Sequence, residues 1–329
     1  MTTGAGVRLA GTGMSVPDRV VTNDDLARFV DTNDEWIAQR TGIRQRYQLE
    51  EHQSMRDLAR QAVGQALRNA GVSPSELELL IIESMTTELI CTNNAERVVA
   101  ELGASPAGAM DINVACSGFV YGMNTAAALI KTGHYRHVAV VGVEVLTRIL
   151  DWNDRRTCVL FGDGAGAAVL SASDNAAQGC LYQSMGSDGG NWQELYVPRC
   201  EKDVPQGATF NGTYGTMQMN GREVYKFAVT TLGRCIDEAL EACGLMATDL
   251  AMVVPHQSNA RILESARDKL GLPEDKVYIN IDRYGNTSAA SVPICLHELM
   301  TQGRLKAGDI VLMVGLGGGM TWGTSVWRL

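Results

Sequence analysis

Cys116 has the residue type and the setting of a reactive nucleophile. It follows the strand-like run GAMDINVA and opens the helical stretch SGFVYGMNTAAALIKTG, which ends near Lys131 with Gly133 as a candidate C-cap. The unpaired N–H groups and the positive dipole end at a helix N-terminus stabilise a thiolate. The sequence therefore predicts a lowered pKa for the Cys116 thiol and a nucleophile available at neutral pH.

Two polar residues occupy similar junctions later in the chain. His256 ends the apolar run LAMVV within PHQSNARI, and Asn286 lies in DRYGNTSAAS between a strand-like run and a helix. Taken alone, such a histidine is more often structural, and such an asparagine is more often a turn or N-cap residue. In open α/β sheets, however, ligands bind in the crevice beyond the carboxyl ends of the strands. The three junctions together predict a nucleophile and two hydrogen-bonding side chains around one reaction centre.

Apolar strand-like runs alternate with helical patterns along the chain, which predicts an α/β fold with buried strands. The first series is LELLIIESM, NNAERVVAELG, GAMDINVA, SGFVYGMNTAAALIKTG, HVAVVGVEV and GAGAAVLSAS. The second contains a helix at about 223–242, then LAMVVPH, NARILESARDKLG, VYINI, SAASVPICLHELMTQG and DIVLMVGL. This repetition predicts two pseudo-duplicated halves, 1–174 and 175–329, in a five-layered fold. The Gly- and Asp-rich segment at about 186–215 is a candidate loop to cover part of a site.

The composition excludes several functional classes. The chain has 329 residues, of which 45% are hydrophobic and 20% are charged, as in globular proteins with a large core. Its net charge of −9 and the lack of Lys and Arg runs argue against nucleic-acid binding. The start does not resemble a signal peptide and no stretch is apolar enough for a membrane span, so we expect a cytoplasmic protein without a membrane partner.

Metal and nucleotide cofactors are also disfavoured. The eight cysteines include no CxxC pair, which argues against zinc and disulfide frameworks. The segment FGDGAGAAV lacks the GxGxxG spacing of dinucleotide sites and the lysine of a P-loop. We therefore expect no metal.

Seven segments together resemble one protein family. They are NDEWIAQRTGI, DINVACSGF, FGDGAGAAVL, SDGGNWQEL, PHQSNARI, YGNTSAASVP and GGGMTWG, and they extend nearly end to end. In this order and approximate spacing they are similar to the β-ketoacyl-acyl carrier protein synthases III of the thiolase superfamily. The resemblance implies a thiolase-like αβαβα fold and an acyltransferase that initiates fatty acid synthesis.

The resemblance also implies a mechanism. Cys116 would take the acyl group of an acyl-CoA primer, and malonyl-acyl carrier protein would be the second substrate. His256 and Asn286 would hydrogen-bond the malonyl thioester carbonyl while CO₂ leaves, and the enolate would attack the acyl group. The backbone N–H groups of Cys116 and Gly318 would form the oxyanion hole. Coenzyme A enters as part of a substrate, and no resident cofactor is implied.

Further binding residues follow from the resemblance. Trp36 is expected to stack on the adenine of coenzyme A, with Arg40 and Arg155 as basic partners. The other expected coenzyme A contacts are Thr32, Gly221, Arg222 and Asn259.

The expected protein partners are acyl carrier protein and a second copy of the chain. Acyl carrier protein is acidic, and a basic patch of Arg261, Lys226 and Lys269 is expected to dock it. A homodimer is expected with residues 85–115 near its interface.

Two positions depart from the family pattern. Cys91 stands where relatives often carry Phe or Thr at the end of the acyl pocket, and Leu316 stands where an aromatic residue is common. A smaller side chain at the end of a pocket leaves more room for the ligand. We therefore expect a primer longer than acetyl.

Three other functions are weighed against this one. Papain-like hydrolases share the order Cys, His, Asn, but they place the nucleophile in a CGSCW-like segment near the mature N-terminus, unlike Cys116. A same-fold enzyme could use another acceptor or serve secondary metabolism, although His256 and Asn286 favour decarboxylative condensation. A catalytically inactive partner subunit is disfavoured because Cys116 is present.

Overall fold

The computed structural model describes residues 6–208, 210 and 212–329. The strands are Gly6–Ser15 (β1), Val20–Thr22 (β2), Gln45–Tyr47 (β3), Leu79–Glu83 (β4), Gly108–Ile112 (β5), His137–Glu144 (β6), Gly164–Ser173 (β7), Gly179–Ser187 (β8), Leu195–Tyr196 (β9), Gln218–Met219 (β10), Met252–Pro255 (β11), Ile310–Gly317 (β12) and Thr321–Arg328 (β13). The helices are Asn23–Leu26 (α1), Asp34–Thr41 (α2), Met55–Ala70 (α3), Asn94–Leu102 (α4), Gly118–Lys131 (α5), Gly221–Cys243 (α6), Ala260–Lys269 (α7), Ile281–Tyr284 (α8) and Ser291–Thr301 (α9). Three short 3₁₀ turns shape the site described below: Ala115–Ser117, Ser288–Ala290 and Gly318–Met320.

The two large sheets repeat one topology. The first has the order β1-β7-β6-β4-β5, and the second has the order β8-β13-β12-β11. In each sheet the first three strands are antiparallel neighbours, whereas β6 and β4, like β12 and β11, run parallel. The predicted duplication is therefore confirmed in the fold. The prediction of a strand at VYINI is wrong. Such a strand would take the place in the second sheet that β5 has in the first, but only Val277 pairs there, through an isolated parallel bridge to Val253.

The sheets and helices form five layers. Helices α5 and α9 lie between the sheets, where Phe119 and Met123 of α5 and Leu296 and Leu299 of α9 are buried against strands of both halves. Helices α3 and α4 cover the outer face of the first sheet, and α6 and α7 cover that of the second. The fully buried strands explain the apolar runs in the sequence. The predicted αβαβα fold class is confirmed.

Two helices that border the site have well-defined ends. Helix α2 is capped by Asn33, whose side chain accepts from Trp36 N at 2.7 Å, and it ends at Gly42 with φ 81°. Helix α7 is capped by Asn259, which accepts from Arg261 N at 2.9 Å. These caps satisfy backbone N–H groups that would otherwise lack partners. The caps fix the residues at which both helices begin beside the site.

A buried carboxylate anchors the chain just before Asn286. Glu298 on α9 accepts hydrogen bonds from Tyr278 Oη at 3.1 Å, Asn280 Nδ2 at 2.8 Å and Tyr284 Oη at 2.9 Å. Both terminal nitrogens of Arg283 also donate to it. Burial alone would raise the pKa of Glu298, but the Arg283, Asn280 and Tyr284 hydrogen bonds outweigh burial and hold the pKa below its usual value. The segment 278–284 is thereby tied to the helix layer between the sheets.

We expect Glu298→Gln to lower the free energy of unfolding at pH 7 by about 1–3 kcal/mol, because an amide cannot replace the charge-assisted hydrogen bonds. The folded-state pKa lies below the ordinary value of 4.5, so this stabilisation is present above that pH and declines as the pH falls below it. Urea unfolding at pH 7 and pH 3.5 measures both effects. The exposed Glu241→Gln on α6 is the matched control, and equal stability of Glu298→Gln and wild type at pH 7 would contradict the expectation.

Candidate active site

Two cavities meet at Cys116. The first is lined by Cys116, Leu160, Phe161, Leu195, Met219, Gly221, Val224, Tyr225, Phe227, Ala228, His256, Ser258, Asn259, Ile262, Asn286, Leu316, Gly317 and Met320. The second encloses about 410 Å³ and is lined by Met85, Asn113, Val114, Ala115, Cys116, Ile149, Phe161, Leu195, Tyr196, Val197, Arg199, Met217, Gly318 and Thr321. Both cavities are lined mainly by apolar groups, and the first also contains the polar side chains of His256 and Asn286.

Cys116 lies in the turn that precedes α5, and only 6% of it is exposed. Burial raises the pKa of the Cys116 thiol to about 12, while the Ser288 hydroxyl and the N–H groups of Cys116 and Gly318 oppose the rise. The expectation of a lowered pKa is therefore wrong for the free protein, because the loss of hydration outweighs the helix N-terminus. The thiol holds its proton at neutral pH.

The end of β12 passes very close to the Cys116 turn. A Cβ on Gly317 would lie 2.8 Å from Cys116 N and 3.0 Å from Ser117 N, so no other residue fits without a shift. The hydroxyls of Ser117 and Thr321 are 2.7 Å apart and link the same two segments. As a result, the N–H groups of Cys116 and Gly318 both face the Cys116 sulfur. This arrangement can bind an oxygen that becomes negatively charged next to the sulfur.

His256 follows β11 and is held as a neutral base. Its backbone N–H donates to Val314 O at 2.7 Å, and its Nδ1 lies 2.7 Å from Ser291 Oγ. Burial lowers the pKa of His256 to about 3, and a hydrogen bond to the Ser288 backbone offsets this only in part. Because Nδ1 is paired with Ser291, Nε2 is the ring nitrogen that the neutral His256 can offer at the first cavity.

Asn286 is oriented by its own turn. Its Oδ1 accepts from Ser288 N at 2.8 Å, and its backbone pairs with Leu160 O at 2.9 Å and Gly162 N at 3.0 Å. The hydrogen bond from Ser288 N identifies the oxygen of the amide and thereby fixes the orientation of the Asn286 side chain. Its Nδ2 makes no hydrogen bond within the part of the chain that the structure describes, and it is the donor that Asn286 can offer to the first cavity.

Strained backbone is concentrated at the same place. Ala115, Ser288 and Met320 have φ values of 47°, 49° and 50°, in the left-handed region that residues with a side chain rarely adopt. Each one lies within two residues of Cys116, Asn286 or Gly318. Such strain persists only where the surroundings impose it, and it is concentrated at functional sites. No sequence signal marks these three residues.

The expected coenzyme A residues lie on α2, α7 and the loop around residue 155. The guanidinium groups of Arg40 and Arg155 lie 4.6 Å and 5.3 Å from the centre of the Trp36 ring. Asn259 Nδ2 donates to Arg40 O at 3.0 Å, which connects this cluster to the first cavity that Asn259 lines. Arg155 also pairs with Asp31 at 3.0 Å.

The other expected coenzyme A positions are divided. Gly221 lines the first cavity at the start of α6, and Thr32 has a buried hydroxyl without a partner among the described residues. Arg222 is exposed and lines neither cavity. The structure therefore brings together Trp36, Arg40, Arg155, Gly221 and Asn259 but not Arg222.

In the single chain, neither of the two expected acyl-pocket residues lines the second cavity. Cys91 is exposed and lines neither cavity of the single chain, and Leu316 lines the first cavity with His256 instead of the second. The second cavity is formed by side chains from distant segments, among them Met85, Ile149 and Met217. Sequence reasoning missed them because isolated apolar residues in loops carry no recognisable pattern.

The three expected docking residues lie on two helices that pack against each other. Lys226 is on α6, Arg261 and Lys269 are on α7, and all three are exposed. Lys226 is 3.9 Å from Glu223, so its charge is partly balanced.

Residues 6–208, 210 and 212–329 contain neither a metal-binding cluster nor a helix that could span a membrane. No group of three or more His, Cys, Asp or Glu side chains there could hold a metal ion. None of the described helices has the length and apolar character needed to cross a bilayer.

Comparisons with known proteins agree with the site. The family model for 3-oxoacyl-(acyl-carrier-protein) synthase III matches residues 110–189, and the model of the C-terminal region of that enzyme matches residues 240–329. β-Ketoacyl-(acyl-carrier-protein) synthase III of Caldanaerobacter subterraneus is 46% identical over 97% of this chain and 96% of its own length. Crystal structures of 3-oxoacyl-(acyl-carrier-protein) synthase III from Aquifex aeolicus (TM-score 0.91, 41% identity, 99% of this chain and 100% of that one) and of the priming β-ketosynthase from the R1128 polyketide pathway (0.92, 35%, 100% and 98%) have the same fold.

The duplicated fold, with Cys116, His256 and Asn286 around one cavity, is that of the condensing enzymes of the thiolase superfamily. It excludes the papain-like alternative. Within that class, identity of 46% over almost the whole length decides the family. The chain belongs to the β-ketoacyl-acyl carrier protein synthase III family.

We expect Gly317→Ala to slow acyl transfer from acyl-CoA to Cys116 by about 10²-fold or more, because the added methyl group displaces the turn that carries the Cys116 N–H. The time course of the intact-protein mass measures this rate. Gly64→Ala on α3 is the matched control, since a Cβ there would have an ordinary contact at 3.5 Å. Acylation of Gly317→Ala at the wild-type rate would contradict the proposed role of this close approach.

Proposed function

We propose that the protein transfers an acyl group from an acyl-CoA primer to Cys116 and condenses it with malonyl-acyl carrier protein, which starts fatty acid synthesis. The observation that carries this proposal is the meeting of Cys116, His256 and Asn286 at one cavity, with two backbone N–H groups beside the sulfur. The family membership of the chain supports the same reaction.

In the first step, the sulfur of Cys116 attacks the thioester carbonyl of the primer. The negative charge moves to the carbonyl oxygen, where the N–H groups of Cys116 and Gly318 stabilise it; each such donor is typically worth about 10²–10³ in rate. Collapse of this intermediate breaks the bond to the coenzyme A sulfur. The acyl group stays on Cys116 while coenzyme A leaves.

In the second step, malonyl thioester occupies the first cavity next to His256 and Asn286. As the carboxylate leaves as CO₂, charge develops on the thioester oxygen, and two neutral donors can stabilise it without giving up a proton. A pKa of about 3 keeps His256 neutral throughout the physiological range. The enolate carbon then attacks the acyl group and releases Cys116.

Two groups of basic residues support the binding of coenzyme A and of acyl carrier protein. Trp36 with two guanidinium groups close by suits an adenine nucleotide, since a flat ring can stack and phosphates pair with arginine. Exposed Arg261, Lys226 and Lys269 lie on α6 and α7, the two helices that contribute to the lining of the first cavity, and they suit an acidic carrier protein despite the net charge of −9.

The second cavity supports the expectation of a primer longer than acetyl. Its volume of about 410 Å³ lies directly beside Cys116, and most of its lining is apolar. This inference no longer depends on Cys91. The close structural match to a priming β-ketosynthase of a polyketide pathway makes secondary metabolism the second candidate, with the same chemistry at Cys116.

We also propose a homodimer, in which residues 85–115 lie at the interface. Strand β5 is the edge of the first sheet, and Leu89 and Ile90 beside it are 45% and 93% exposed. An open edge strand with apolar neighbours favours association. The cytoplasmic location expected from the sequence stays a prediction.

The proposed function predicts a Cys116-dependent acyl mass. We expect wild type to gain one acyl group from at least one member of a panel from acetyl- to octanoyl-CoA, and Cys116→Ala to gain none, by intact-protein mass spectrometry. No adduct on wild type with any member would contradict the proposal and would favour an inactive partner subunit.

A second prediction separates the two steps. His256→Ala and Asn286→Asp should still take the acyl group, but release labelled CO₂ from malonyl-acyl carrier protein at least about 10²-fold more slowly, because the developing oxyanion loses a donor. Asn175→Asp is the matched control, since its Oδ1 also accepts from the N–H two residues on but lies on the surface. CO₂ release at the wild-type rate by both site variants would exclude their proposed role.

The dimer is tested by Ile90→Asp. We expect wild type to sediment as a dimer and Ile90→Asp as a folded monomer, because the side chain is exposed in the single chain. Met246→Asp, at a position 68% exposed elsewhere on the surface, should remain dimeric. A dimeric Ile90→Asp would contradict the proposed interface.

A further inference from the structure

A buried, hydrogen-bonded carboxylate lies behind Cys116. Glu144 at the end of β6 is 0% exposed. Its Oε2 accepts from Thr86 Oγ1 at 2.7 Å, from Ser84 Oγ at 3.3 Å and from Met85 N at 3.3 Å. Its Oε1 accepts from Ser288 Oγ at 3.1 Å. None of the steps derived above uses this group.

Ser288 joins Glu144 to the nucleophile. The residue is fully buried, its φ is 49°, and its N–H is engaged by Asn286 Oδ1 at 2.8 Å. In this strained turn the hydroxyl donates to Glu144, and it is close enough to the Cys116 sulfur to oppose the rise in the pKa of the thiol. A hydroxyl can donate one proton and accept another, so it can pass a proton between the two groups.

We propose that Glu144 accepts the Cys116 thiol proton through the Ser288 hydroxyl during acylation. The inference rests on the proposed function, because it concerns the first step of that reaction. The S–H bond of Cys116 breaks as its proton moves to Ser288 Oγ, and the Ser288 hydroxyl proton moves to Glu144 Oε1. The electron pair left on sulfur forms the bond to the acyl carbon.

The protons balance over the whole cycle. During acylation the proton of Cys116 rests on Glu144, and the departing coenzyme A thiolate takes one proton from solvent. During condensation the tetrahedral intermediate expels the Cys116 thiolate. Glu144 returns its proton through Ser288, which restores the thiol and the carboxylate.

The local charges favour such a transfer. Thiolate and carboxylate side by side repel each other, whereas moving the proton keeps a single negative charge on the pair. Burial raises the pKa of Glu144 to about 7, which makes its carboxylate a stronger base and a better acceptor for the thiol proton. Glu83 on β4 is a neighbouring carboxyl, and burial and the Glu144 charge raise its pKa to about 9, so it is neutral at pH 7.

The groups on the neighbouring elements are few. Strand β7, on the other side of β6, carries no titratable residue, but Asp163 immediately before it is next to Gly164, which pairs with Glu144, and burial raises the pKa of Asp163 to about 6. His256, next to the Ser288 turn, is neutral above about pH 3. Asp111 on β5 acts on Glu83 and is tied to the start of α4 by hydrogen bonds to Asn94 and Ala95.

The test compares the pH dependence of two reactions at Cys116, followed by intact-protein mass: acylation by acyl-CoA and alkylation by iodoacetamide. In wild type both rates should rise with pH to a plateau above about 7, as Glu144 becomes able to accept a proton. In Glu144→Gln both should be about 10²-fold slower at pH 7.5, and should rise with pH without that plateau. Ser288→Ala should lower both rates with Glu144 still in place.

The sign of the effect separates this role from simple repulsion. If Glu144 only raised the pKa of the thiol by its charge, Glu144→Gln would react faster than wild type. Faster or unchanged reaction of Glu144→Gln with both reagents therefore overturns the inference. If wild type reacts with iodoacetamide but takes no acyl group from any acyl-CoA, the proposed function fails, and the alkylation profiles still decide the relay.

Asp163→Asn is the matched control. Asp163 is also fully buried and accepts from a threonine hydroxyl, Thr147 Oγ1 at 2.6 Å, and from two backbone N–H groups, but it has no hydrogen bond to the Cys116 turn. The Asp163→Asn variant should be acylated at Cys116 at the wild-type rate. An equal loss in Asp163→Asn and Glu144→Gln would mean that any buried carboxylate is needed for folding, and would overturn the relay. Thermal unfolding of each variant verifies that it is folded.

Discussion

The structure of the site depends on one close approach between the two halves of the chain. Strand β12 of the second half ends against the turn that carries Cys116 of the first half, with so little room that a side chain at Gly317 would collide with backbone nitrogen. Only this approach puts N–H groups from both halves on the same sulfur. The duplication of the fold therefore serves chemistry as well as packing, since neither half holds a complete site.

The same closeness buries the reactive side chains, and burial controls their charges. Burial keeps the thiol of Cys116 and the carboxyl of Glu83 protonated and His256 neutral. Hydrogen-bond donors aimed at a developing charge are worth more in such surroundings than in water. Burial also leaves the Cys116 thiol unable to ionise without a base. We assign the removal of its proton to Glu144, acting through Ser288.

The sequence was a good guide to elements and a partial guide to the site. Strand ends and helix starts located Cys116, His256 and Asn286, because buried strands and capped helices leave strong local patterns. The strand β13 was missed, since its Gly- and Thr-rich start lacks an apolar run, and the strand at Val277 reduces to one bridge.

The remaining errors involve interactions between distant segments. The pKa of Cys116 is set by burial under β12, about two hundred residues later in the chain, so the local helix gave the wrong sign. The Ser288 hydrogen bond to Glu144 and the lining of the second cavity join segments with no mutual sequence pattern. The role assigned to Cys91 by resemblance stays a prediction, because Cys91 is exposed in the single chain but lies in the segment 85–115 proposed for the dimer interface.

The convergence of the two N–H groups on one oxygen can be measured directly. The infrared carbonyl stretch of an acyl group labelled with ¹³C at C1 and attached to Cys116, in the background of His256→Ala to hold the acyl-enzyme, reports hydrogen bonding to that oxygen. We predict a clear shift to lower frequency than that of the same thioester in water, because the N–H groups of Cys116 and Gly318 donate to it in a buried site. A frequency equal to that in water would contradict the account of this site.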